Sequence, residues 1–278
     1  MSANTYNVLS QLGKGAFGTV YLCERKHNKL KIVVKEISLT ADNEKSQTAK
    51  NEVQILRSLN NPNVIKYHDN FIKDNSLCII MEYASHGNLY ELLKNRQQRL
   101  SFSEVMKFFC QIVMGLKHIH QKKVVHRDLK PENIFLTGKD GDVVKIGDFG
   151  ISKLLATHTD KTSTLIGTTN YLAPEICDGL PYDKKSDIWS LGCILYELCE
   201  LHRYFDGSIT DIITSIKSGK RKQIDINTYS LDLQNIIDIT VQIPPENRPE
   251  CVNIMAYPIM AHNITKLCVN LGNLEDEK

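Results

Sequence analysis

His126-Arg127-Asp128-Leu129-Lys130-Pro131-Glu132-Asn133 is followed, fifteen residues after Asn133, by Asp148-Phe149-Gly150. Together these segments supply a carboxylate placed to accept a proton, a lysine two positions on, and an amide and a second carboxylate able to hold a hard cation. Each residue alone reads as a loop polar group. In this order and spacing they form the inventory that phosphoryl transfer needs, where a protein chiefly positions reactants and stabilises charge.

Upstream, Gly13-Lys14-Gly15-Ala16-Phe17-Gly18-Thr19-Val20 reads as a glycine-rich turn between two strands. Glycines let the backbone approach phosphate oxygens closely, although such a turn alone is a weak signal. A dinucleotide-binding crossover is disfavoured because strand, not helix, follows. Lys35 lies in Ile32-Val33-Val34-Lys35, where an ordinary strand lysine would face solvent. Glu52 changes that reading. It stands four residues before Leu56, on the apolar side of the helix expected between Asn43 and Asn60 with Ile55, Leu56 and Leu59. A carboxylate there is costly unless paired.

Outward from these motifs, strands are expected over Tyr6–Leu12, Gly18–Glu24, Leu30–Ser38, Val64–Asn70 and Leu77–Tyr83. After His86-Gly87 the pattern turns helical. Ser101 with Glu104 marks a capping box before a long apolar-striped helix. Ile188 to Leu201 is apolar nearly all round and predicts a helix buried inside a larger lobe. Leu271 to Lys278 reads as a frayed end.

The 278 residues suit one large two-lobed unit or two small ones. A net charge of +2, from 34 basic and 32 acidic residues, leaves no nucleic-acid footprint. Eight cysteines without a Cys-x-x-Cys pair point to reduced thiols in an intracellular setting. Polar Met1 to Thr5 gives no expectation of a signal peptide, and no apolar run suits a membrane span. Spacing for a histidine or cysteine metal site is missing, and His118 and His120 cannot share a helix face.

The chain resembles the eukaryotic protein kinases. Within them it is most similar to the NIMA-related (NEK) serine/threonine kinases. The carrying residues are Val33-Val34-Lys35-Glu36-Ile37, Asn133-Ile134-Phe135-Leu136-Thr137, Val144 to Lys153, Tyr171 to Cys177 and Pro181 to Trp189. The resemblance implies an α+β, bilobal fold. A small antiparallel-sheet lobe with one helix would span about residues 6–82, a hinge about 82–87, and a mainly helical lobe about 88–262. A polar leader, 1–5, and a tail, 263–278, would flank it.

The resemblance further implies ATP with Mg2+, or Mn2+ in its place, and protein substrates carrying Ser or Thr. Asp128 would be the base and Lys130 the charge-neutralising cation. Lys35, fixed by Glu52, would hold the α- and β-phosphates, and Asn133 and Asp148 would ligate the metal. The nucleotide would lie among Leu12, Gly13, Lys14, Gly15, Ala16, Phe17, Gly18, Thr19, Val20, Val33 and Lys35 on one side. Met81 (as gatekeeper), Glu82, Ala84 and Phe135 would complete the site. Val33 stands where most kinases carry Ala, which narrows the adenine slot.

Arg127 calls for a counter-charge, and phosphate on Thr164 would supply it, with Thr162 and Ser163 as weaker candidates. Thr168 would bond near Asp128 and Lys130, Glu175 would pair with Arg248, and Asp187 would hold the catalytic-loop backbone. Ile151 favours threonine as acceptor. Two departures stand out: Pro131-Glu132, where the family has Ser or Thr then Gln, and Thr169, where it has Pro. Glu132 would draw a basic side chain upstream of the target, whereas Asn88 argues against one. The family further implies an upstream kinase or autophosphorylation and cytoskeletal or centrosomal partners, with neither nucleic acid nor membrane. It implies a cytoplasmic location, extending to nucleus, centrosome or cilium. The alternatives are a catalytically weak kinase-fold scaffold and an active kinase of another serine/threonine group.

Overall fold

The computed structural model describes residues 5–15, 18–39, 53, 56–149 and 169–273. Strands β1 (Tyr6–Gly15), β2 (Gly18–Arg25), β3 (Lys31–Ser38), β4 (Tyr67–Lys73) and β5 (Ser76–Glu82) form one antiparallel sheet in the order β1-β2-β3-β5-β4. Side chains alternate across it. Cys23, Ile32, Val34, Cys78 and Ile80 build a small outer cluster with Tyr6, Tyr21 and Phe71. Ile37, Leu77 and Ile79 face the other way and join the main core. Lys35 lies between these two sets by sequence, on the inner parity of Val33 and Ile37, so the sheet aims it at the second lobe.

Residues 53 and 56–58 are helical, in keeping with the expected helix, which ends before Leu59 rather than at Asn60; residues 43–52, 54 and 55 lie outside the described residues. The strand expected from Val64 starts only at Tyr67. Val64 instead makes a parallel bridge to Ile146, with Ile65 N–H donating to Ile146 O at 2.8 Å and Ile146 N–H to Asn63 O at 2.9 Å. Buried Asn63 and Gln111 complete this strap, Asn63 Nδ2 donating to Gln111 Oε1 and to Val144 O, both at 3.0 Å.

The second lobe contains α1 (Leu89–Lys94), α2 (Phe102–Gln121), α3 (Pro174–Cys177), α4 (Lys184–Glu200), α5 (Ile209–Lys217), α6 (Ile226–Tyr229), α7 (Leu231–Thr240), α8 (Cys251–Met255) and α9 (Pro258–Asn273). Ser101 and Glu104 form the expected capping box on α2. In α4 every residue from Ser186 to Glu200 is buried, and Leu201 ends it in the left-handed conformation. A hairpin of β6 (Ile134–Thr137) and β7 (Val143–Ile146) escaped the sequence reading, because four residues per strand are too few to show a period. Helix α9 crosses the point where a tail was expected: Met260 is fully buried, and Ile259, Ile264 and Leu267 pack on the core. All eight cysteines are free thiols.

Candidate active site

The loop between α2 and β6 is held from below by one buried carboxylate. Asp187, in the first turn of α4, accepts His126 N–H at 2.9 Å and Arg127 N–H at 3.1 Å. His120 Nε2 stands 2.8 Å from the same carboxylate. This grip holds Arg127 at φ 69, a left-handed conformation that costs a branched or long side chain on the order of 1–2 kcal/mol. His126 is buried with its ring against Phe149, centroids 4.9 Å apart. Its Nδ1 accepts Asp128 N–H at 3.3 Å, so Nε2 carries the proton and donates to Gly147 O at 3.0 Å. Burial holds its pKa below the usual histidine value, which keeps the ring neutral.

Above this base the expected catalytic residues meet. Asp128 Oδ2 lies 3.0 Å from Lys130 Nζ. Asn133 Nδ2 donates to Asp128 O at 2.7 Å and to Asp128 Oδ2 at 3.0 Å, which turns its amide oxygen away from Asp128. Lys35 reaches across from the sheet to an ion pair with Asp148 Oδ1. Asp148 has φ 53, a turn that follows Gly147, where a Cβ would stand 2.7 Å from Ile65 Cγ1 and 3.1 Å from Phe135 Cε2. Only glycine fits there without moving the strap or the hairpin.

The nucleotide-facing side is built from both lobes. Gly15 pairs with Gly18 where β1 turns into β2, and Lys14 with Thr19. A Cβ on Gly18, at φ +150, would meet Glu36 O at 1.9 Å, so this glycine is required by the approach of β3. Gly13 has open space at the Cβ position, which leaves its backbone approachable. Leu12 is half-exposed, and Val20, Val33 and Phe135 are half-buried. Val33 pairs with Met81, and Phe135 bridges Asn88. Behind Met81 a cavity of about 20 Å³ remains among Lys35, Tyr67, Ile79 and Phe149, room for one water. Glu82 is committed sideways, its carboxylate to Lys145 Nζ at 2.8 Å and to Lys66 N–H at 3.0 Å, and the chain runs on through Ala84.

Ala16, Phe17, Glu52, Thr162, Ser163, Thr164 and Thr168 lie outside the described residues. Of the expected supporting contacts, Glu175 and Arg248 form a buried bidentate pair at 2.7 Å on each oxygen, and Asp187 holds the loop. Asn88 caps α1, accepting Glu91 N–H at 2.9 Å, which assigns it a helix-terminal role. The sequence reading missed His120 as the third partner of Asp187, since its spacing to His126 carries no helical or strand signal. It missed the buried contact of Tyr171 Oη with Glu197 Oε2 at 2.5 Å for the same reason.

Carboxylate and amide oxygens from Asp148 and Asn133 are a hard donor set. They suit a divalent cation that takes its other ligands from phosphates and water. Among the described residues no group of three His, Cys, Asp or Glu side chains could hold a metal by itself. The open backbone at Gly13, the cation at Lys35 and the apolar walls likewise fit a nucleoside triphosphate.

Comparison with known proteins agrees with this geometry. The family model described as protein kinase domain matches residues 6–260. The chain is 40% identical over 275 residues to serine/threonine-protein kinase Nek8 of Danio rerio, covering 97% of this chain and 39% of that protein. It is 39% identical over 260 residues to serine/threonine-protein kinase Nek5 of Mus musculus, covering 92% and 40%. With serine/threonine-protein kinase nekl-2 of Caenorhabditis elegans it shares 38% identity over 284 residues, covering 98% and 79%. The chain thus spans about 40% of the length of the first two relatives. With a matching family model along nearly its whole length, and a relative matched over most of both chains, the chain belongs to the protein kinase domain family and, within it, to the NIMA-related kinases.

Proposed function

We propose that the chain is a serine/threonine protein kinase that transfers the γ-phosphate of ATP to protein substrates, with Mg2+ as the working cation and Mn2+ as a substitute. The observation that carries this reading is the meeting of Lys35 with Asp148 beside the Asp128, Lys130 and Asn133 cluster. Bound nucleotide and metal supply the phosphoryl group and the charge that offsets it. Asp128 orients the acceptor hydroxyl and takes its proton. Lys130, next to that carboxylate, offsets charge on the phosphoryl oxygens in flight. Lys35 and Asp148 bring a cation and a carboxylate to one point, where a phosphate oxygen and a hard cation would meet. Asn133 gives the second protein oxygen.

The finer reading adds Thr164 phosphorylation as the activating event, by an upstream kinase or by the chain itself, with Arg127 receiving the phosphate. It also assigns threonine preference to Ile151 and places the protein in the cytoplasm with cytoskeletal or centrosomal partners. The test is phosphate transfer from radiolabelled ATP and Mg2+ to a positional-scanning peptide library, beside Asp148→Ala. Expected is transfer to Ser and Thr peptides, Thr favoured, that Asp148→Ala lacks. Transfer no greater than that of the variant would overturn the reading.

A further inference from the structure

The near-neutral total charge conceals a basic run, Lys217-Ser218-Gly219-Lys220-Arg221-Lys222, with four cations in six residues. It follows the end of α5 and lies against residues of α4 and of the segment after α7, none of which belongs to the loop that carries Asp128. Lys217, Lys220 and Arg221 are exposed. Arg221 is tied to Asp238 at 3.7 Å, and Lys222 turns back to Arg203 O at 3.1 Å and over the Tyr196 ring. Lys217 and Lys220 have no salt-bridge partner among the described residues.

Beside this run opens a cavity of about 150 Å³, far larger than the space behind Met81. Its floor is Trp189 and Phe205, stacked with centroids 5.5 Å apart and ring planes 1° from parallel. Ile216, Val241 and Ile243 form its apolar sides, and Ile243 is 44% exposed at the mouth. Lys220 and Arg221 stand in its wall, which contains no acidic side chain. The indole N–H of Trp189 is buried with no hydrogen-bond partner among the described residues. Tyr204, Ser215 and Gln242 add polar groups to the lining, and the volume is roughly what one benzene ring needs.

An apolar socket with a cationic rim selects both properties of its occupant. A polyanion alone would use the lysines and leave the socket empty. A purely apolar segment would leave the lysines without a counter-charge. We propose that this face is a docking site for an acidic peptide segment of a partner protein, which inserts one Leu- or Phe-sized side chain into the socket and sets flanking Asp or Glu against Lys217 and Lys220. Such helix- and loop-borne anchors concentrate binding energy in one buried side chain, while the rim charges raise the association rate and the specificity. The site is separate from the nucleotide site, so docking and phosphate transfer are measured independently.

The test is selection of short displayed peptides on the whole chain, without nucleotide, with the Lys217→Glu/Lys220→Glu protein as counter-selector. Isolated peptides are then measured by fluorescence anisotropy against wild type, the double variant and Ile243→Glu. Expected are acidic peptides with a central Leu, Phe or Trp, whose affinity falls ~10-fold or more in both variants and on replacing the anchor by Ala. Thermal midpoints of both variants and their transfer rates on a short generic peptide should match wild type. No enrichment over the counter-selector overturns the proposal. Acidic peptides that bind Ile243→Glu equally well, or without an anchor, overturn it in favour of non-specific polyanion binding.

Discussion

Arg248 shows how much a single buried residue does in this lobe. It is 1% exposed, and its guanidinium meets Glu175 twice, the carbonyls of Gln242, Lys185 and Ile243, and the Trp189 ring. Every donor direction is occupied, which is what lets a full charge stay in the interior. Arg248→Ala should cost about 3–5 kcal/mol in urea unfolding, because Glu175 would be left charged without its partner. Glu197 is the opposite case. Burial pushes its carboxyl from an ordinary 4.5 up to about 7, only partly offset by the Tyr171 hydroxyl and by Arg203. A raised folded pKa means that the stability tied to this group is full below pH 4.5 and is lost as pH rises through 7. Glu197→Gln keeps an acceptor for Tyr171 and removes the titration. Thermal melts from pH 5 to 8 should therefore fall less steeply than those of wild type, with the variant more stable above pH 7 by roughly 1–3 kcal/mol. Equal slopes would show that Glu197 does not titrate in this range. The Glu175–Arg248 pair was expected on the family resemblance. The Glu197–Tyr171 pair was not, since nothing in a lone helical glutamate tells that a tyrosine 26 residues earlier will close over it.

At the scale of elements, two strands decide whether the nucleotide site forms. β3 carries Lys35 on the parity of Val33 and Ile37, and β2 must lie close enough for Gly18 to pass Glu36 O. Gly18→Ala should lower both nucleotide affinity and thermal stability, because a Cβ 1.9 Å from a backbone oxygen forces β2 away from β3. Isothermal titration with an ATP analogue reads the first effect, and a thermal melt the second. Gly13→Ala, with nothing near its Cβ position, should leave the fold intact, which separates strand packing from ligand approach. The sheet, the long capped helix and the buried helix were readable because each has a long period or a capping box. The β6–β7 hairpin and the Val64–Ile146 bridge were not. They are short, and their order comes from Asn63 and Gln111 bonding across lobes rather than from local propensity. Likewise the frayed end expected from Leu271 is helical to Asn273, since the apolar side of α9 is fixed by packing on α2.

For the whole molecule, two lobes bring together residues 113 positions apart, Lys35 and Asp148, over a base that α4 fixes through Asp187. The proposed chemistry was legible because phosphoryl transfer needs few residue types in a fixed order. Asp187 beneath it was expected from the family resemblance, whereas His120 and the His126 ring contact to Gly147 O were hidden because they bond through tertiary packing. In the proposed reaction Asp128 acts on the acceptor hydroxyl while the rest of the cluster holds the nucleotide. The most direct measurement is single-turnover phosphate transfer by Asp128→Asn, with nucleotide affinity and thermal midpoint determined on the same protein. Expected is a rate lower by ~10²–10⁴-fold with affinity and midpoint near those of wild type. A rate unchanged by the substitution, or a loss of rate that follows only from lost nucleotide binding, would contradict it.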